Sequence, residues 1–347
     1  MAPGYDTGRR YGAPMTSVTA GTADDQRLRA ALPSVLAPLG PVARLDRLTG
    51  GMFATTFRAT LTDGRRVVVK TAPTATDRLL THERDLLRTE ALVYRLAGDR
   101  PGLPVPRVLL TDFTRAVVPS DVVVASHLDG VPLTTLEQDG RLPEPVLARV
   151  EPQLGAVMAR LHAITGERFG YPDAGTGLVG STWPEAFGRM VEALLADAAR
   201  WGTDVPAREI RAALGRHDAA LAEVVRPALV HTDLWPGNLF VDPGTSALTG
   251  VIDPERALWG DPLLELAGAD QLGRGPVPGR VLDGYAGAGG VLAAGTPSGG
   301  VRLLLYRMWI SLVMVTEMAP RGYAGAAADA HRATCAGNLR AALDALA

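Results

Sequence analysis

Cysteine is nearly missing from this chain of 347 residues: Cys335 is the sole thiol, so neither a disulfide framework nor a CxxC zinc site can be assembled from it. Lysine is equally scarce. Of 35 basic residues, 34 are arginine and one, Lys70, is lysine. Asparagine occurs twice, as Asn238 and Asn338. Long apolar runs are absent too. The longest, LLLYRMWISLVMV at 303–315, is interrupted by Arg307 and falls short of the roughly 20 residues that cross a bilayer, which predicts a buried helix and no membrane partner. The N-terminal residues hold no apolar segment of secretory type, and with the lone thiol this predicts a cytoplasmic protein. A net charge of -2 advertises no nucleic-acid surface. Several catalytic motifs are excluded outright. Lys70 follows Val69 rather than glycine, which removes a Walker A loop; no G-x-S-x-G occurs; and His82-Glu83 lacks the second histidine of H-E-x-x-H.

What is present is core material, 47% hydrophobic against 21% charged. Residues 1–25 are polar and aperiodic and read as a flexible tail. A short helix, DDQRLRAALPSVL, follows. VARLDRLTGG, MFATTFRATL and DGRRVVVKTAP read as strands, with Asp63-Gly64 a hairpin turn. TEALVYRLAG has helical spacing and a glycine stop. VPRVLLTDFT and AVVPSDVVVASHL read as further strands. From about 143 the pattern turns helical: EPVLARVEPQLGAVMARLHAI, PEAFGRMVEALLADAARWG and REIRAALGRHDAALAEVV. Short strands then lie within ALVHTDL, NLFVD and ALTGVIDPE, residues 284–300 read as a flexible loop, and two helices near 301–318 and 324–346 end the chain. Strands first and helices after argue an α+β fold. The expected lobes are 26–128, β-rich, and 129–347, mainly helical. Residues 1–128 carry 17 basic and 12 acidic side chains, so the acidic excess lies in the second part.

The chemistry concentrates in two strings. HTDLWPGNLFVD, residues 231–242, sets Asp233 and Asn238 five apart in a Pro-Gly loop before a hydrophobic strand, and GVIDPERALWGDP ends another strand on Asp253. One carboxylate can take a proton from an attacking hydroxyl; a second carboxylate and a carboxamide oxygen suit Mg²⁺. In an arginine-rich chain the single lysine, on the strand VVVK, marks a position where a compact ammonium serves and a guanidinium does not.

Together, H-x-D-L-x-x-x-N, I-D, V-V-V-K and a helix glutamate resemble the protein-kinase-like small-molecule phosphotransferases: the aminoglycoside phosphotransferase family and its fructosamine kinase relatives. HTDLWPGN is especially similar to the fructosamine-kinase loop, and FGYP and VIDPERALWGDP point to the same branch. The resemblance spans about residues 45–340 and implies a bilobal kinase-like fold. It implies Asp233 as catalytic base, Asn238 and Asp253 as Mg²⁺ ligands, and Lys70 on the phosphates of ATP or GTP. The partner of Lys70 would be Glu90, with Glu83 as the competing candidate. SHLDG matches the family's hinge, where the backbone of Ser126 and Leu128 would meet adenine. One departure stands out: the turn TGGMFATTF, residues 49–57, has only Gly50-Gly51 where protein kinases carry G-x-G-x-x-G.

Around this set, Trp235 adjoins Asp233 and is the leading aromatic candidate for a substrate pocket, ahead of Trp183, Trp201 and Trp259. Glu255 and Arg256 either face substrate or pair with each other. Glu265 and Asp270 form a solvated face or bind a substrate amine. His162 reads as a core histidine, His231 as a structural one and Asp261 as a turn residue. The function expected is Mg²⁺-dependent transfer of a γ-phosphoryl group to a hydroxyl of a small molecule. A sugar-containing antibiotic of nucleoside or aminoglycoside type is expected, giving resistance or self-protection. A ketoamine (fructosamine) repair kinase is the alternative, and a nucleotide-binding pseudokinase the alternative of another class. The protein would act as a monomer or homodimer.

Overall fold

A computed structural model describes residues 22–48, 53–273 and 275–347. Residues 49–52 of the expected phosphate turn, and the expected tail up to residue 21, lie outside the described residues. The first lobe runs α1 (Thr22–Leu36), β1 (Val42–Leu48), β2 (Thr55–Leu61), β3 (Arg66–Thr71), α2 (Leu86–Ala97), β4 (Val108–Asp112) and β5 (Val122–Ser126). Its strands form one antiparallel sheet in the order β1-β2-β3-β5-β4. The Asp63-Gly64 turn closes β2 on β3, the Asp63 carboxylate accepting from the Arg65 amide at 3.0 Å.

Strand alternation decides which side chains see the cleft. Phe57, Ala59, Val67, Val69, Val122 and Val124 share one face and are sealed by Leu32 and Leu36 of α1. Lys70 and Val123 pair across β3 and β5 on the opposite face, where α2 packs Leu87 and Ala91 against Val123. A single period-2 choice thus points the lone lysine at α2.

The second lobe contains β6 (Val131–Pro132), α3 (Glu144–His162), β7 (Phe169–Gly170), β8 (Val179–Gly180), α4 (Trp183–Arg200), α5 (Ala207–Arg216), α6 (Asp218–Ala222), β9 (Ala228–Val230), β10 (Leu239–Val241), β11 (Leu248–Val251), β12 (Leu258–Gly260), α7 (Leu264–Gly268), α8 (Gly279–Gly287), α9 (Pro297–Thr316), α10 (Met318–Arg321) and α11 (Ala326–Ala345). Just before β6 stands Gly130, whose φ of +103° and whose approach to Thr249 and the Val241 carbonyl leave no room for a side chain. The small sheet β11-β10-β6 carries the loop after β9 and the end of β11 to the lobe boundary.

Two readings of the sequence are corrected here. Residues 284–300 are not one loop: α8 extends through Gly287, and α9 begins at Pro297, with the Thr296 hydroxyl accepting from the Gly299 amide at 2.9 Å. The glycines serve close approach instead. A Cβ on Gly284 would sit 2.0 Å from the Pro152 carbonyl, and one on Gly155 2.0 Å from that of Val281, so α3 and α8 meet backbone to backbone. The helix expected over REIRAALGRHDAALAEVV breaks at His217, whose ring meets the Leu346 carbonyl at 3.0 Å.

The apolar segment also reaches further than 303–315. Residues 297–321 are long and apolar enough to cross a membrane by length and composition, yet the most apolar part of this stretch is mostly buried inside the protein, as in the core helix of a globular domain. Inside it, Arg302 and Tyr306 meet the carboxylate of Asp261, both at 2.7 Å, and Trp183 donates to the Tyr306 hydroxyl at 2.8 Å.

Candidate active site

The site assembles from an ion cluster on the first lobe and a loop on the second. On α2, Leu86, Leu87, Glu90, Val93, Tyr94 and Ala97 form one buried stripe, so the carboxylate of Glu90 lies inside an apolar face and needs a cationic partner. Lys70 supplies it, its Nζ donating to Glu90 Oε2 at 2.9 Å and also contacting Asp253. Burial by itself would depress the lysine's pKa, but Asp253, Glu90 and Glu255 together hold it far above its ordinary value, so the ammonium is permanent. Glu83 stands elsewhere: its carboxylate pairs with Arg321 at 2.6 Å and Arg256 at 3.4 Å. Asp253 follows β11 in the left-handed region, φ 61°, and its amide donates to the Tyr94 hydroxyl at 3.2 Å, one turn beyond Glu90 on the same helix.

The loop after β9 is fixed from beneath. Glu265, at 0% exposure, accepts from the amides of His231 (2.7 Å) and Thr232 (2.9 Å). It therefore neither lies on a solvated face nor turns to a substrate, the two roles expected for it; the amides of the loop engage both its oxygens. His231 Nε2 lies 3.0 Å from the Ile252 carbonyl while its Nδ1 accepts from the Asp233 amide at 3.3 Å, a pattern that assigns the proton to Nε2. Burial depresses the pKa of this histidine, in keeping with a neutral ring. His162 is a core residue held by the Tyr285 hydroxyl at 2.9 Å.

Asp233 is held on three atoms. Asn238 Nδ2 donates to its backbone carbonyl and to Oδ2, each at 2.9 Å, and Gln271 Nε2 donates to Oδ1 at 2.6 Å. Burial pushes its pKa up to about 7, opposed by Arg256 and reinforced by Asp253. Asn238 thereby turns its amide nitrogen to Asp233 and keeps its oxygen for another partner. The β10–β11 pairing brings its neighbourhood to Asp253, with the Ile252 amide donating to the Asn238 carbonyl at 3.0 Å. Among the described residues no group of three or more His, Cys, Asp or Glu is poised for a metal. A nucleotide-bound Mg²⁺ needs only one or two protein oxygens, and Asn238 and Asp253 fit that requirement.

A cleft of about 820 Å³ joins these parts, lined by Lys70, Glu90, Ser126, Leu128, Trp235, Asn238 and Asp253. Trp235 folds its ring over Gly237, where a Cβ would lie 2.2 Å from it. At the hinge, the Ser126 amide donates to the Arg107 carbonyl at 2.8 Å, so that amide is not free for a ligand. Glu255 belongs to the charge field around Lys70, where burial raises its pKa to about 8. Arg256 turns away from it to Glu317 at 2.8 Å. Asp270 lies 3.5 Å from Arg307, and both line, with Gln271, a second cavity of about 580 Å³.

Sequence reading missed Tyr94, Gln271 and the loop-fixing role of Glu265. Tyr94 had a signal, its i+4 spacing from Glu90. Gln271 had none, being a lone amide in a turn 38 residues from Asp233.

Comparison with known proteins places the fold. The family model of the phosphotransferase enzyme family matches residues 44–300. No curated protein matches the chain. Among solved structures, a thermostable mutant of aminoglycoside phosphotransferase APH(4)-Ia, in ternary complex with AMP-PNP and hygromycin B, is similar at 21% identity and TM-score 0.61, covering 90% of this chain and 97% of its own. A candidate fructosamine-3-kinase from Thermobifida fusca is similar at 24% identity and TM-score 0.63, covering 94% and 100%. Macrolide 2'-phosphotransferase MphH from Brachybacterium faecium is similar at 23% and 0.53, covering 90% and 98%. The kinase-like α+β architecture expected from the sequence is the one observed.

Proposed function

Because the chain belongs to the phosphotransferase enzyme family, we propose that it moves the γ-phosphoryl group of ATP or GTP to a hydroxyl on a sugar-containing small molecule, an antibiotic of nucleoside or aminoglycoside type, with Mg²⁺. The observation that carries this reading is the placement of Lys70, Asn238 and Asp253 on one cleft, with Asp233 hydrogen-bonded to Asn238 beside it.

In the step itself, the acceptor oxygen bonds to the γ-phosphorus as the bond to the β,γ-bridging oxygen breaks. The hydroxyl proton passes to Asp233, and the nucleoside diphosphate leaves. Asp233 is suited to this because Asn238 and Gln271 fix its carboxylate while burial raises its proton affinity. Lys70, held by Glu90, presents a fixed ammonium to the phosphates. Asn238 and Asp253 would hold Mg²⁺, which when bound neutralises phosphate charge. The backbone around Leu128 and the ring of Trp235 border the cleft where base and acceptor would lie. Use of ATP or GTP assigns the reaction to the cytoplasm.

The test is a mass-spectrometric screen. Purified protein with Mg-ATP or Mg-GTP is offered hygromycin B, a macrolide, a nucleoside antibiotic and fructosyl-lysine, with Asp233→Ala as blank and EDTA as the metal control. A product heavier by one phosphoryl group, absent from both controls, is expected. Nucleotide binding with no product on any acceptor would favour the pseudokinase alternative. Product on fructosyl-lysine alone would assign the repair reaction.

A further inference from the structure

Asp253 stands in a backbone conformation that is uncommon outside glycine, φ 61° and ψ 47°. It also precedes Pro254, and a residue before proline favours extended backbone. Local preference would therefore turn it out of the left-handed region and move its carboxylate. The surrounding structure has to hold it in place. Its amide donates to the Tyr94 hydroxyl at 3.2 Å. Tyr94 is buried, at 2% exposure, and burial keeps its hydroxyl protonated. A phenol has one proton to give as well as lone pairs that receive. The proton goes to Glu90, one helical turn earlier on α2. Glu90 also accepts from Lys70 Nζ at 2.9 Å, and Lys70 meets the Asp253 carboxylate. The four residues close a ring. Asp253 is held at both ends, its amide by Tyr94 and its carboxylate by Lys70, and both holds run back to Glu90.

We propose that Tyr94 is a positioning residue for Mg²⁺: by receiving the Asp253 amide it keeps this aspartate in left-handed backbone with its carboxylate on the cleft. Glu90 then has a second task. Besides fixing Lys70, it fixes the backbone of the metal ligand through Tyr94, so one carboxylate sets both the phosphate contact and the metal contact. Tyr94 itself borders the cleft beside Lys70 and Asp253. This inference rests on Asp253 being a ligand of Mg²⁺, as in the reading above. A tyrosine that only fills the cleft wall predicts the same loss of nucleotide affinity with and without metal.

Binding separates these without any turnover. The full-length protein is titrated with AMP-PNP by calorimetry, once with Mg²⁺ and once in EDTA. The ratio of the two affinities is the contribution of the metal. Tyr94→Phe removes one hydroxyl and keeps the ring. It is expected to lower that ratio about threefold to tenfold, the range of one neutral hydrogen bond, with the affinity in EDTA unchanged. Tyr94→Met lacks the hydroxyl and the ring, and is expected to show the same lowered ratio whatever its absolute affinities. A wild-type ratio retained in both variants, or equal losses with and without Mg²⁺, would overturn the proposal while leaving the metal assignment intact. A wild-type protein that binds AMP-PNP equally with Mg²⁺ and in EDTA would overturn the assignment of Asp253 to Mg²⁺ and this inference with it. Phosphotransfer as such is decided separately, by the product screen.

Discussion

The carboxylate of Glu265 is the point where the catalytic-loop geometry can be tested with least ambiguity. It touches no cleft-lining group, yet its two oxygens accept the consecutive amides of His231 and Thr232, which immediately precede Asp233. Glu265→Ala leaves both N–H groups buried without partners. At about 1–3 kcal/mol for each orphaned donor, the loss is about 2–6 kcal/mol. Glu265→Gln retains one oxygen and turns an NH₂ toward the second amide, so it should lose about half as much, about 1–3 kcal/mol. In thermal melting, Glu265→Ala should drop on the order of 5–15 °C, with the glutamine variant between it and wild type. Activity should fall as well, because a loop displaced by about 1 Å misaligns Asp233 and can cost about 10²-fold in kcat. The assay is intrinsic-fluorescence melting beside steady-state kinetics on whichever acceptor the screen identifies. A Glu265→Ala protein with wild-type melting and kcat would refute the claim that this side chain holds the loop.

Three further outcomes follow from the same geometry. Lys70→Arg should fail to restore nucleotide use and lower kcat/KM for Mg-ATP about 10²-fold, because a planar fork cannot meet Glu90 and Asp253 from the position of one ammonium; near-normal kinetics would contradict this. The pH profile of kcat/KM should fall on the acid side: a base whose pKa is pushed up to about 7 is protonated, and inactive, below that pH, so the rate declines as pH drops through about 7 and the limb should vanish in Asp233→Ala. Gly155→Ala should destabilise the second lobe by about 1–3 kcal/mol through overpacking against the Val281 backbone, measured by urea unfolding, with nucleotide affinity unchanged.

How much of this could be read beforehand depended on the range of each interaction. The loop 231–242 and the strand ending in Asp253 were legible because their spacing is local, and Lys70 was legible through its rarity and its strand. The choice between Glu90 and Glu83 was also available, since Glu90 alone falls in a helical stripe of buried apolar residues. Glu265, Gln271 and the partners of Glu83 were not. Their contacts close over 33, 38 and 173 or more residues, and nothing in the local string distinguishes a buried acid that caps a loop from one on a solvated face. The glycines of 284–300 misled for a related reason. Glycine permits both mobility and close approach, and only the packed neighbour, the Pro152 carbonyl, decides between them.

Glu83, Arg256, Glu317 and Arg321 form a closed, buried set of two acids and two bases. Its members come from three distant stretches of chain: the segment leading into α2, the turn after Asp253, and the end of the long C-terminal core helix. The consequence is one of modularity. A chimaera that grafts the first lobe of this chain onto the second lobe of a relative imports one member of the set without the other three, and an unmatched buried charge costs about 3–5 kcal/mol. The lobes are interchangeable in outline but keyed at this joint, so a working hybrid must carry all four residues together.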